Sequence, residues 1–344
     1  MTDIVLEPPT TKLAAGQVLE VEHLEVSFPT EEGVVQAVRD VSLHVGAGEV
    51  LGIVGESGSG KSVTMLAVMG LLPKTAKISG SARFMGEELL GEQGKAARRL
   101  RGGRLAMIFQ DPLTALNPVQ RVGNQISEAV EVHHPEMSGK AALTKATEML
   151  ELVGIPQPAT RARQYPHEFS GGMRQRAMIA MAICNDPDLL IADEPTTALD
   201  VTIQAQILEV LQEVQKVTGT AIAFITHDLG VIARLADRVQ VMYAGRTAEV
   251  ASVEALFAAA SHPYTAGLLG SLPKLEEVRG GRLVPIPGAP PSMVHPPNGC
   301  AFNPRCPRSQ AICTTATPEL RSVGSQGQDS ACHFAEDCIE DSKA

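Results

Sequence analysis

Short runs of apolar residues recur along the chain, and several of them end at glycine or at a polar residue. A run of this kind, bounded by turn residues, is typical of a strand buried in an α/β sheet. Upstream of them, the apolar stretches between 18 and 45 are interrupted at 29–33 by proline and glycine, which predicts antiparallel strands joined by a turn. The buried strands are predicted at 50–54, 105–109, 189–192 and 221–226.

Helical periodicity replaces the short apolar runs from about residue 122 to 185. This block predicts a helical subdomain inserted into the α/β core. A further helix is predicted after Asp200, because apolar residues follow at spacings of three and four: Ile203, Ile207, Val210, Leu211 and Val214. The core is predicted to close with residues 238–243 and a helix through about 260, whereas residues 1–17 lack any period and predict a loose leader.

Composition narrows the class of protein. The chain has 344 residues, of which 44% are hydrophobic, so a disordered chain is excluded and two domains are possible. Its formal charge of −10 argues against a broad nucleic-acid surface. No basic stretch followed by an apolar core opens the sequence, and no window offers about 20 apolar residues in a row. We therefore expect a cytoplasmic protein.

A glycine-rich segment between the apolar run 50–54 and an apolar helix indicates a phosphate-binding loop. Glycines let backbone N–H groups crowd around a polyphosphate, and the helix that follows directs its positive end to the same place. Lys61 is expected to reach the β- and γ-phosphates, and the Ser62 hydroxyl to ligate Mg²⁺. A glycine-rich turn that binds nothing is the alternative. The segment consists of Gly55, Glu56, Ser57, Gly58, Ser59, Gly60, Lys61 and Ser62.

Polar residues follow three of the predicted strands. Gln110 is placed to sense Mg²⁺ or the attacking water, and His227 to contact the γ-phosphate. Asp193 and Glu194 are adjacent carboxylates, one to hold Mg²⁺ through water and the other to polarise the water that attacks. Each could instead be a structural residue at the end of a strand.

Two further positions become candidates for nucleotide binding because the motifs above occur in the same chain. Ser170 precedes Gly171 and Gly172, so it can cap a helix whose first N–H groups would bind an anion. Alone, this pattern usually marks a turn. Phe28 lies upstream of the glycine-rich loop, where its ring could stack on an adenine base or pack in the core.

Taken together, residues 18–260 resemble the ATP-binding-cassette (ABC) family, with each motif in the family's order. Residues 55–62 match the Walker A loop and 189–193 Walker B. The resemblance implies a P-loop domain with an antiparallel β subdomain and a helical subdomain, and two such domains paired head to tail around ATP. It assigns the remaining positions as follows: Phe28 to adenine stacking, Gln110 to the Q-loop, 169–173 (including Met173) to the signature, Glu194 to catalysis, 197–200 (including Asp200) to the D-loop, and His227 to the switch histidine.

Other segments resemble the ATP-binding subunits of bacterial dipeptide and oligopeptide permeases: 110–118, 262–265 and 283–307. That resemblance implies ATP-driven peptide import, with nickel or glutathione as alternative cargoes. It also implies a second ATPase subunit, two integral-membrane permeases and an extracytoplasmic peptide-binding protein, with this chain peripheral at the cytoplasmic face of the inner membrane. A soluble cassette ATPase acting on DNA or ribosomes is the distant alternative, but the sequence shows no long coiled-coil insertion, second cassette or basic arm. An adenylate kinase-like enzyme is a further alternative, which residues 170–172 and His227 argue against.

Five of the six cysteines lie after residue 299, in a segment poor in apolar periodicity. Such a segment commonly needs a metal or a cross-link. Four thiolates suit Zn²⁺ or an iron–sulfur cluster, and the resemblance favours a [4Fe–4S] cluster, with Zn²⁺ or bare thiols as the alternatives. The predicted ligands are Cys300, Cys306, Cys313 and Cys332. The predicted organisation is thus a leader (1–17), an ATPase domain (18–260) with a helical subdomain (about 111–185), and a small irregular extension (261–344).

Overall fold

The computed structural model describes residues 16–91, 94–111, 115–197, 200–272, 285–324 and 327–343. Several predicted features lie wholly or partly outside these ranges: most of the leader, 112–114 of the segment that follows Gln110, 198–199 of the D-loop, and 283–284. The described chain forms two compact units. The first comprises Val45–Glu49 and Lys95–Phe224 with the described residues up to Val18, and the second comprises Leu19–His44, Val50–Gly94 and the described residues from Ile225 onward.

Two long strands confirm the antiparallel arrangement predicted upstream of the glycine-rich loop. They are β1 (Gln17–Thr30) and β2 (Gly33–Gly46). With two later strands they form a four-stranded sheet in the order β2-β1-β4-β5, in which β4 is Lys77–Phe84 and β5 is Glu87–Glu88. The register between β1 and β4 shifts after Glu22, next to His23 in the left-handed backbone region (φ 49°). A bulge at this point bends β1.

A second sheet in the second unit carries the glycine-rich loop. Its strand β3 (Val50–Val54) is buried throughout and pairs in parallel with β9 (Arg238–Tyr243). Antiparallel neighbours extend it through β10 (Arg246–Ser252) to β12 (Gln328–Ser330) and β11 (Arg321–Val323). The C-terminal extension therefore contributes two strands to this sheet, which the sequence patterns did not predict.

The first unit contains the parallel strands β6 (Leu105–Ile108) and β7 (Leu189–Asp193) and, beside β7, the first four residues of β8 (Ala221–Thr226). Every residue of β7 is buried, as expected for a parallel strand covered on both faces. Helices fill most of residues 122–183, which confirms the predicted helical block. They are α3 (Val122–His133), α4 (Gly139–Leu152), α5 (Pro158–Arg161) and α6 (Gly171–Ile183).

The described chain also has helices outside the helical block. Among the described residues, none of the helices is both long enough and apolar enough to cross a bilayer. The helices outside the helical block are α1 (Lys61–Val68), α2 (Lys95–Leu100), α7 (Val201–Thr218), α8 (Leu229–Leu235), α9 (Val253–Ala258), α10 (Pro263–Gly270), α11 (Ala311–Thr315) and α12 (Ala335–Lys343).

Candidate functional site

The glycine-rich loop connects β3 to α1, which is the strand-loop-helix context that the sequence predicts. Gly55, Gly58 and Gly60 have φ angles of 154°, 79° and 101°. A Cβ atom on Gly55 would lie 2.2 Å from the backbone oxygen of Met242, and one on Gly60 would lie 2.5 Å from that of Ala37. Only glycine fits at these two positions without displacing backbone, so the loop keeps its N–H groups close together.

Lys61 begins α1 and its side chain turns into the loop. Its ammonium group donates hydrogen bonds to the backbone oxygens of Gly55 (2.7 Å) and Glu56 (3.0 Å) and to Ser59 Oγ (3.4 Å). The residue is only 5% exposed. The loop thus surrounds a positive charge at the start of a helix, which is a favourable place for an anion. Ser62 is the second residue of the same helix.

Glu194 lies directly after β7 and is held by two side chains of the first unit. Gln110 Nε2 donates to Glu194 Oε2 (3.0 Å), and Thr197 Oγ1 donates to the same oxygen (2.8 Å). The structure therefore brings together two residues that the sequence predicts for the site. Glu194 also has a φ angle of 46°, a strained backbone for a residue with a side chain, which the surrounding structure must maintain. Asp193, at the end of β7, is buried.

Ser170 caps α6, as predicted. Its Oγ accepts a hydrogen bond from Met173 N (3.3 Å), and both Ser170 and Gly171 are exposed. A Cβ on Gly171 would meet no atom within 4 Å. The first turn of α6 therefore presents open backbone that a ligand can approach. Asp200 performs the same capping role for α7, because its Oδ1 accepts from the N–H groups of residues 202 and 203.

Phe28 and His227 both belong to the second unit. Phe28 is half-buried near the end of β1, and His227 is exposed immediately after β8. These positions are compatible with the predicted roles, which stay predictions.

Two residues that contact the glycine-rich loop were not found from the sequence. Tyr264 Oη accepts from Glu56 N (2.8 Å), and Arg305 pairs with the Glu56 carboxylate. The sequence predicts Glu56 only as one residue of the phosphate-binding loop. In the structure its carboxylate contacts Arg305 of the C-terminal region. Both partners lie more than 200 residues further along the chain, so no local pattern could have indicated them.

The four predicted cysteine ligands line one small cavity. Burial raises the pKa of the Cys300 thiol to about 11, helped by the neighbouring thiols. However, among the described residues no three His, Cys, Asp or Glu side chains are placed to hold one metal ion. The prediction of a metal site therefore finds no support in the arrangement of these side chains. Cys338 hydrogen-bonds to Cys332, which raises the pKa of Cys338.

Two known protein families match parts of this chain. A family described as "ABC transporter" matches residues 38–197, and one described as "Oligopeptide/dipeptide transporter, C-terminal region" matches 248–313. The dipeptide transport ATP-binding protein DppD of Bacillus subtilis is 54% identical over 304 residues, which is 88% of this chain and 90% of that protein. The oligopeptide transport ATP-binding protein OppD of Escherichia coli is 50% identical over 317 residues, covering 91% and 94%.

OppD of Mycobacterium tuberculosis is 57% identical over 305 residues, covering 89% of this chain, but the chain spans about half the length of that relative. The fold is similar to that of the ATP-binding cassette MJ0796, solved as a dimer in a post-hydrolysis state with ADP and Pi. The TM-score is 0.62 at 24% identity, over 68% of this chain and 98% of MJ0796. The chain belongs to the ABC transporter family and, by its C-terminal region and its relatives, to the oligopeptide/dipeptide transporter group within it.

Proposed function

We propose that the chain is the subunit that hydrolyses ATP to power peptide import by an ABC transporter. The observation that carries this proposal is the glycine-rich loop, in which backbone geometry excludes any Cβ at Gly55 and Gly60 and a buried lysine supplies positive charge. The C-terminal match to oligopeptide/dipeptide transporters supports the choice of cargo.

At the loop, backbone N–H groups and Lys61 would bind the phosphates, and Ser62 would ligate Mg²⁺ together with Asp193 and Gln110. The ion, when bound, neutralises charge on the phosphates. Glu194 would accept a proton from the attacking water, since one of its carboxylate oxygens is already fixed by two hydrogen bonds. His227 would contact the γ-phosphate and Phe28 the adenine.

The exposed start of α6 supports a paired arrangement. In it, Ser170 and Gly171 of one ATPase subunit would bind the phosphates of ATP held by the loop of its partner. The partner is proposed to be a related second ATPase. Two integral-membrane permeases and an extracytoplasmic peptide-binding protein complete the assembly, with this chain peripheral at the cytoplasmic face of the inner membrane. The division into an ATPase domain (18–260) and an extension (261–344) remains part of this proposal.

The function can be tested in the native host by deleting the coding sequence and measuring uptake of labelled cargoes. We expect the loss of di- to pentapeptide uptake, with recovery on re-expression of the wild-type chain. Nickel and glutathione, tested in the same cells, separate the alternative cargoes. Normal peptide uptake in the deletion strain, with loss of nickel or glutathione uptake, would contradict peptide as the cargo.

We also propose that Cys300, Cys306, Cys313 and Cys332 bind a [4Fe–4S] cluster. A [4Fe–4S] cluster takes four thiolate ligands, and these four cysteines line one cavity.

Protein purified without oxygen is expected to contain iron and sulfide and to absorb broadly in the visible range. Cys300→Ser should lower the iron content, whereas Cys184→Ser, at a buried thiol in the first unit, should not. Zinc without iron, or protein free of any metal, would contradict the cluster.

A further inference from the structure

An arginine of the C-terminal region forms a bidentate ion pair with the glycine-rich loop. Arg305 Nη1 lies 2.6 Å from Glu56 Oε2, and Arg305 Nη2 lies 3.0 Å from Glu56 Oε1. The Arg305 side chain is 4% exposed and that of Glu56 is 28% exposed. Paired, charge-assisted hydrogen bonds of this geometry are stronger and more directional than single neutral ones. The pair therefore fixes the orientation of Glu56 within the loop.

Arg305 is itself held in place on several sides. Its Nε donates to the backbone oxygen of Pro287 (2.9 Å), and its guanidinium lies 5.8 Å from the ring centroid of Tyr243 and 6.0 Å from that of Phe302. Both distances are in the range of cation–π contacts. The guanidinium is therefore a fixed support for the loop, because its own position is determined by the C-terminal region and by β9.

The backbone of Glu56 is hydrogen-bonded to the C-terminal region and to the lysine that would contact phosphate. Its N–H donates to Tyr264 Oη (2.8 Å), and its backbone oxygen accepts from Lys61 Nζ (3.0 Å). A displacement of Glu56 would therefore move an acceptor of the lysine that binds phosphate.

The negative charge of Glu56 gives a second reason for its contact with Arg305. A carboxylate in a loop that binds a triphosphate would repel the ligand, because like charges separated by a few ångströms interact strongly when they are partly shielded from water. Arg305 neutralises Glu56 at that place. Without the guanidinium, the loop would keep its glycines and Lys61 but would carry an uncompensated negative charge.

We propose that Arg305 is a positioning residue for nucleotide binding, which neutralises and orients Glu56 so that the C-terminal region sets the affinity of the glycine-rich loop for ATP. The proposal rests on the proposed function, since it requires that this loop binds ATP. Arg305 lies next to Cys306, so the segment that carries the cysteines is linked directly to the loop.

Titration of the purified chain with a fluorescent ATP analogue tests the proposal. Arg305→Ala is expected to raise the Kd by about 10-fold or more, the scale of losing charged hydrogen bonds. Arg305→Lys keeps the charge without the bidentate geometry, so its Kd is expected to lie between those of Arg305→Ala and the wild-type chain. Arg321→Ala is the matched control, because Arg321 forms a similar bidentate pair with Glu336 (2.6 and 2.7 Å) that is exposed and joins two C-terminal residues.

The double variant Glu56→Gln/Arg305→Ala distinguishes this mechanism from loss of folding. Because the uncompensated charge is then gone, its Kd is expected to return toward that of Glu56→Gln alone. In the assembled transporter, Arg305→Ala should raise the KM for ATP more than it lowers kcat. An increase in Kd for Arg305→Ala no larger than that for Arg321→Ala would overturn the proposal. A Kd for the double variant as high as that for Arg305→Ala would also overturn it. Failure of the wild-type chain to bind the analogue would instead reject the proposed function.

Discussion

Replacing Glu194 with glutamine is expected to lower steady-state ATP hydrolysis by about 100-fold or more while ATP remains bound, because the proposed general base is lost. Glutamine keeps the size of the side chain, and its amide oxygen can still accept from Gln110 and Thr197, so the local geometry should survive. The measurement is phosphate release by the assembled transporter, with bound nucleotide analysed in parallel.

Glu209→Gln is the matched control, since Glu209 is an exposed glutamate on α7. It should hydrolyse ATP at the wild-type rate. Glu194→Gln activity equal to that of this control would reject Glu194 as the base.

Replacing Lys61 with alanine is expected to weaken ATP binding by about 10- to 100-fold, because the loop loses its buried ammonium group and the charged hydrogen bonds it would make to phosphate. Gly55 and Glu56 would also lose a donor to their backbone oxygens. Equilibrium titration with a fluorescent ATP analogue measures the change directly.

Lys74→Ala removes an exposed lysine from the same unit and should bind as wild type does. Thermal unfolding of both variants shows whether either has lost its fold. A folded Lys61→Ala protein with wild-type affinity would mean that ATP binds somewhere other than this loop.

Features carried by a few consecutive residues were predictable from the sequence. The glycine-rich loop and the Ser170 cap each depend on local backbone chemistry, and the structure has the predicted strand-loop-helix and capped helix there. Gln110 and Glu194 were each predicted to follow a buried strand, but the hydrogen bond between them was not predicted and depends on the parallel pairing of β6 and β7.

Contacts between residues far apart in the chain were not predictable from local patterns. Strand β10 contains Glu249, which is fully buried and accepts hydrogen bonds from the N–H groups of Ser261 and His262. Burial raises the pKa of Glu249, and a glutamate normally indicates an exposed position, so the pattern of residue types does not reveal its burial. Arg305 is a similar case, because its partner in the loop lies 249 residues earlier.

Coupling between ATP hydrolysis and peptide uptake tests the central claim most directly. The chain would be reconstituted in vesicles with the proposed second ATPase, permeases and peptide-binding protein, and the accumulation of labelled peptide would be measured together with phosphate release. We expect uptake that requires ATP on the side of this chain and that stops, together with hydrolysis, in the Glu194→Gln variant. Peptide accumulation that continues without hydrolysis by this chain would contradict it.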